Sequence, residues 1–85
     1  MAEEKKIGTI SHYFGKINVG IIELTDSLKL GDRLHFKGKK TDFEQEVSSM
    51  QLEHQNISEA QPGTSIGIKV EQKVREGDEV YKISS

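Results

Sequence analysis

Eighty-five residues, 33% hydrophobic and 31% charged, fit one small domain and no more, because a chain this short buries only about 60% of its unfolded surface. Cysteine is absent, which excludes disulfides and thiolate metal sites and leaves stability to packing. Twelve basic against 14 acidic residues give a net charge of -2, which argues against a nucleic-acid binder that relies on a strongly basic face.

The opening Met1-Ala2-Glu3-Glu4-Lys5-Lys6 is charged and lacks the apolar stretch of a secretory signal, so residues 1–6 read as a flexible tail before a single domain over 7–83. No later apolar run approaches the ~20 residues that span a bilayer, and a cytoplasmic protein without a membrane partner is expected. Apolar residues come in short alternating or mixed groups, none at helical spacing over the ~11 residues that would mark an amphipathic helix. The chain therefore reads as β throughout, with strands predicted near 7–14, 19–24, 33–37, 43–52, 65–70 and 79–83. Six short strands at near-regular spacing suggest a small closed antiparallel β-barrel.

The second predicted strand, "VGIIEL", has Val19 and Ile21 on one face and Ile22 and Leu24 on the other, so both faces seek cover. In the next hairpin, Leu34 and Phe36 facing inward beside Phe43 and Val47 would turn Arg33, His35 and Lys37 outward toward Asp42, Glu44 and Glu46. Such opposite-charge pairs contribute roughly 0.2 to 1 kcal/mol each, and a one-residue slip would drive carboxylates into the core. Inward parity then changes from odd (Phe43, Val47) to even (Met50, Leu52), which predicts a β-bulge near Ser48-Ser49.

"LKLGDRLHF" at 28–36 and "VREGDEVYK" at 74–82 share the frame apolar, two residues, Gly-Asp, one residue, apolar. Glycine adopts positive φ at low cost and Asp accepts hydrogen bonds from nearby amides, so Gly31-Asp32 and Gly77-Asp78 are expected as turns that each launch a strand. Leu28, Leu30 and Val74 would tuck the approaching loops against the core.

Candidate chemistry is thin. No two of His12, His35 and His54 share the spacing that places ligands on one metal, and no metal or other cofactor is expected. Glu44 and Glu46 lie about 7 Å apart on one strand face, within the range of a carboxylate pair, but they face Arg33, His35 and Lys37 as a solvated ladder. A phosphate loop needs G-x-x-x-x-G-K-[ST]; the candidates at Gly15-Lys16 and Gly38-Lys39 lack it, so no nucleotide is expected. Two surfaces remain. Lys16, Arg33, Lys37, Lys39 and Lys40 could contact RNA. Tyr13 and Phe14 are consecutive, so one ring should point outward and, beside Met50 or Leu52, anchor a protein partner.

The ordered set Gly8-Thr9-Ile10, Leu30-Gly31-Asp32, Phe36-Lys37-Gly38, Val47-Ser48-Ser49-Met50, Ala60-Gln61-Pro62-Gly63, Gly67-Ile68 and Gly77-Asp78 resembles the second domain, a β-barrel, of elongation factor Tu and related translation GTPases. The stretches "SHYFGKINVGIIEL", "TDFEQEVSSMQLEH" and "VREGDEVYKI" are similar to stand-alone translation elongation factor-like proteins and to the C-terminal barrel of collagenase-like peptidases. The resemblance implies a barrel of the domain II type without GTPase or peptidase chemistry. The function expected is a non-enzymatic interaction module that binds a protein partner. The alternatives are an RNA- or tRNA-contacting accessory barrel in translation or tRNA modification, or a detached accessory domain of a collagenase-like peptidase.

Overall fold

The computed structural model describes residues 3–53 and 55–84, and every regular element among them is a strand. In chain order these are β1 (Glu3–Phe14), β2 (Val19–Leu24), β3 (Leu28–Lys29), β4 (Arg33–Lys37), β5 (Asp42–Glu46), β6 (Met50–Leu52), β7 (Gln55–Ile57), β8 (Glu59–Ala60), β9 (Ser65–Lys69) and β10 (Glu79–Ser84). Eight form one antiparallel sheet in the order β5-β4-β10-β1-β2-β9-β6-β7, and β3 pairs with β8 in a second. The expected all-β antiparallel class holds. The closed six-stranded barrel does not, because among the described residues no ladder joins β5 to β7 at the other edge of the sheet. Among the described residues no helix is long and apolar enough to cross a membrane.

The extra strands are too short to carry a hydrophobic period. Two-residue β3 and β8, and three-residue β7, are defined by their backbone pairing alone. The predicted strand over 43–52 divides because the chain changes partners: β5 pairs with β4, whereas β6 pairs with β7 and β9. The parity change foreseen near Ser48-Ser49 is therefore made by an irregular link between strands instead of a bulge within one. The bulges lie in β1, between Lys6 and Gly8 and between Ile10 and His12, where they allow Ile7 and Ile10 both to face the core.

The charged start is strand from Glu3, not a tail through residue 6. Glu3 to Lys6 pair with β10, and their exposed side chains form ion pairs: Lys5 with Asp26 at 2.7 Å, Lys6 with Glu79 at 2.9 Å, and Glu4 with Lys37 at 2.9 Å. A strand whose side chains are all charged gives no apolar signal.

Sixteen buried hydrophobic side chains make one core, among them Ile7, Ile10, Ile22, Leu34, Phe36, Ile66, Ile68 and Val80. Phe36 and Phe43 stack across the β4–β5 hairpin with centroids 4.8 Å apart. On the outer side, Arg33, His35 and Lys37 stand opposite Glu46, Glu44 and Asp42, the register the charges required.

The repeated phrase is one turn used twice. Gly31 and Gly77 both have φ of 91°, the conformation of the third residue of a type II turn. The Asp32 amide donates to the Lys29 carbonyl at 3.1 Å, and the Asp78 amide to the Arg75 carbonyl at 3.1 Å. Each Asp carboxylate accepts from the same turn's first amide, Lys29 to Asp32 Oδ2 at 3.1 Å and Arg75 to Asp78 Oδ2 at 2.9 Å. Each turn then docks on another segment through a reciprocal pair. Gly31 donates to the Val47 carbonyl and Val47 donates to the Asp32 carbonyl; Gly77 donates to the Ile10 carbonyl and Ile10 donates to the Asp78 carbonyl. Leu28 and Val74 are buried as expected. Leu30 is not: it sits at the turn's crown and is 43% exposed.

Candidate protein-docking face

The first hairpin builds the site. β1 pairs with β2 in the register Phe14↔Val19, Tyr13↔Gly20 and His12↔Ile21, joined by a turn over residues 15–18. Gly20 lies against the core, where a Cβ would come within 3.2 Å of Val74 Cγ2. Val19 and Ile21 therefore point to the other face, beside Phe14. On the far side β9 continues the row with Ile21↔Gly67, and β6 follows with Gly67↔Gln51.

Because Gly67 has no side chain, Val19 and Ile21 flank a shallow depression instead of meeting a neighbour of equal height. The result is a groove of about 250 Å³ with Phe14, Ile17, Val19 and Ile21 on its apolar side and Gln51 and Ser65 on its polar rim. Phe14 is 49% and Ile17 61% exposed, two of the three large hydrophobic side chains so placed among the described residues. Glu53, in the turn after β6, is the one charged residue of the lining.

Of the four residues expected to anchor a protein, only Phe14 belongs to this face. Met50 is 1% exposed and part of the core, so it is withdrawn: a sealed side chain offers a partner no surface. Tyr13 and Leu52 are partly buried and pack against the core from its margin, and the Tyr13 hydroxyl lies 3.4 Å from Asn18 Oδ1. As alternation requires, one ring of the pair points outward, and it is Phe14. Val19 and Ile21 form the outward apolar face of "VGIIEL" and stay half-buried, whereas Ile17, in the turn before that strand, left no periodic signal.

The basic residues divide. Arg33 begins β4 and is held by Glu44 at 3.2 Å; Lys37 ends β4, held by Glu4, with its Nζ 4.7 Å from the centre of the Tyr81 ring. The Glu4 carboxylate raises the Lys37 ammonium above its ordinary range. Lys39 and Lys40 occupy the β4–β5 turn, where Gly38, Lys39 and Gly77 wall two open notches that also take in Lys6 and Arg75. Glu76, Asp78 and Glu79 line the same notches. Lys16 lies in the β1–β2 turn and joins neither notch. Lys37 lines the first notch with Lys6 and Lys39, and Lys40 lines the second with Lys39 and Arg75, so three of the five expected residues come together while Arg33 and Lys16 line neither.

Among the described residues no group of three His, Cys, Asp or Glu side chains could hold a metal ion. His54 lies outside the described residues. His12 meets Glu76 at 3.1 Å, and His35 sits between Glu4 and Asp42. Glu44 accepts from Arg33 Nε at 3.2 Å on an exposed sheet face.

The same fold occurs in a solved protein domain. The C-terminal domain of a Geobacillus thermoleovorans protein named as a U32 peptidase superposes with a TM-score of 0.84 at 18% identity, covering 89% of each chain. The selenomethionine variant of that domain gives 0.85 at 16% identity, over 89% of this chain and 96% of the other. In sequence the chain is similar to an uncharacterized protease of Methanocaldococcus jannaschii, 40% identical over 77 residues, or 89% of this chain and 19% of that protein. It thus spans about a fifth of the length of the curated relative it matches. No family model matches. Of the two resemblances read from the sequence, these findings support the peptidase C-terminal barrel and not the translation factor.

Proposed function

We propose that the chain is a non-catalytic accessory domain that works against the body of a U32-type peptidase. The observation that carries this reading is the match itself: 89% of these residues correspond to one fifth of a protease, and the fold corresponds to a domain that ends another. Catalysis needs a pocket with convergent, perturbed groups, whereas Glu4, Lys6 and Glu79 are shifted by ion pairs on the sheet surface and the partly buried His35 by Asp42 and Glu4. A docking role instead uses the outward row at Phe14. An RNA-contacting role has less support, since Arg33 and Lys37 are each engaged by a carboxylate and Lys16 stands apart from Lys39 and Lys40.

The test compares three proteins: this chain alone, the M. jannaschii protease lacking its matching 77-residue segment, and a chimera in which this chain replaces that segment. The chain alone should hydrolyse no peptide library. The chimera should recover whatever turnover or thermal stability the deletion removes. Peptide cleavage by the isolated chain, or a chimera no better than the deletion, would defeat the proposal.

A further inference from the structure

Strand β2 carries apolar residues on both faces, yet only one of the two is fully buried. Ile22 and Leu24 are in the core, while Val19 and Ile21 stay half-buried and the neighbouring Phe14 and Ile17 are open to water. In a chain with 31% charged residues, four adjacent apolar side chains around a glycine floor are not scattered exposure. Nothing in residues 3–53 or 55–84 reaches over them.

We infer that the Phe14-Ile17-Val19-Ile21 face is the surface on which the peptidase body packs. This rests on the accessory-domain reading and adds where the contact lies and what it is made of. The occupant is chosen by two facts. About four fifths of the M. jannaschii relative lies outside the matched segment, so this domain exists there with a large body. Among the described residues Glu53 is the single charge in the groove lining, so the complementary surface is an apolar ridge carrying a Lys or Arg opposite it. An aromatic ring flanked by aliphatic side chains and rimmed by polar groups has the composition of an interface centre.

The absence of native cysteine makes a direct test available. Ile17→Cys and, as a control on another part of the surface, Leu30→Cys are placed in turns where the side chains are exposed and the fold does not depend on them. Alkylation rates are measured by mass spectrometry in the free chain and in the chimera with the M. jannaschii body. The expected result is that position 17 reacts at least about tenfold more slowly in the chimera while position 30 is unchanged, as for a residue sealed within an interface. A third probe, Lys39→Cys, separates the failures. Shielding at 39 with position 17 open would move the contact to the basic turn, overturning this inference while leaving the accessory reading intact. No shielding at any of the three would overturn both. Slowing at position 17 in the free chain as its concentration is raised would give the face to a second copy and overturn the assignment to the peptidase body.

Discussion

The Gln45 carboxamide on β5 grips the backbone at the end of β9: its Nε2 donates to the Lys69 carbonyl at 2.8 Å, and its Oε1 accepts from the Glu71 amide at 2.8 Å. One side chain thus imitates a strand's paired donor and acceptor across a gap that no ladder bridges. The curled sheet is drawn together there without becoming a closed barrel.

Replacing Gln45 with Met keeps its length and removes both bonds. The side chain is 3% exposed, so the Lys69 carbonyl and Glu71 amide would lose partners in a place water reaches poorly. A loss of about 1 to 3 kcal/mol is expected. Urea denaturation measures it, and a midpoint equal to wild type would show that β5 is held by its pairing with β4 alone.

The two Gly-Asp turns predict unequal sensitivity from equal geometry. Ala at Gly31 or Gly77 is strained at φ of 91°, at a cost of roughly 1 kcal/mol in either turn. The Asp residues differ: Asp78 is buried and lies under Gly38, where a Cβ would be 2.0 Å from its Oδ1, whereas Asp32 is half-buried. Asp78→Ala should therefore destabilise more than Asp32→Ala, by a margin of about 1 kcal/mol or more. Equal losses in thermal melts would mean that burial adds nothing to the turn's own hydrogen bonds.

How much of this was legible depended on whether a residue's role left a periodic trace. Leu34, Phe36, Phe43 and Val47 alternate with charges of opposite sign on facing strands, and that pattern gave the β4–β5 register. The Gly-Asp phrase gave both turns because each residue in it has a local backbone task. Glu3 to Lys6 gave nothing, since their strand is fixed by partners some 75 residues away on β10. Gln45 was hidden for the opposite reason: at an inward position between Phe43 and Val47 it breaks the apolar pattern, and only the exposed ends of β9 explain it. The outward row at Phe14 was half legible: alternation requires one ring of Tyr13-Phe14 to face out without choosing between them, and the two apolar faces of "VGIIEL" mark Val19 and Ile21 as seeking cover.

Ile21 and Ile22 should behave as opposites although they are neighbours. Ile22 is fully buried, and Ile22→Ala should cost about 2 to 5 kcal/mol through lost packing and a residual cavity. Ile21→Ala should cost about 1 kcal/mol or less in the isolated chain, because a half-buried side chain loses little burial. Chemical denaturation of the two variants side by side decides this. Similar midpoints would mean that the outward face of β2 is packed as tightly as the inward one.

Stability should also depend on pH through His35. Its ring lies between Asp42 of β5, with Nε2 2.5 Å from Oδ1, and Glu4 of β1, with Nδ1 3.0 Å from Oε2; Lys37 shares the Glu4 carboxylate. The Asp42 hydrogen bond above all, then Glu4, raises the imidazole above its ordinary 6.5. A group raised in the folded state stabilises fully below its unfolded value, and that contribution fades as pH climbs through the folded one. Glu4 runs the other way: hydrogen bonds from His35 and Lys37 lower it from 4.5, so its contribution is present above that value and disappears in acid. The cluster should therefore be strongest between about pH 4.5 and 6.5, and Tm should fall as pH rises above that window through the raised His35 value. His35→Gln keeps hydrogen-bonding capacity without the charge and should flatten the decline. Melting curves that fall equally with pH in both proteins would assign the dependence to groups outside this cluster.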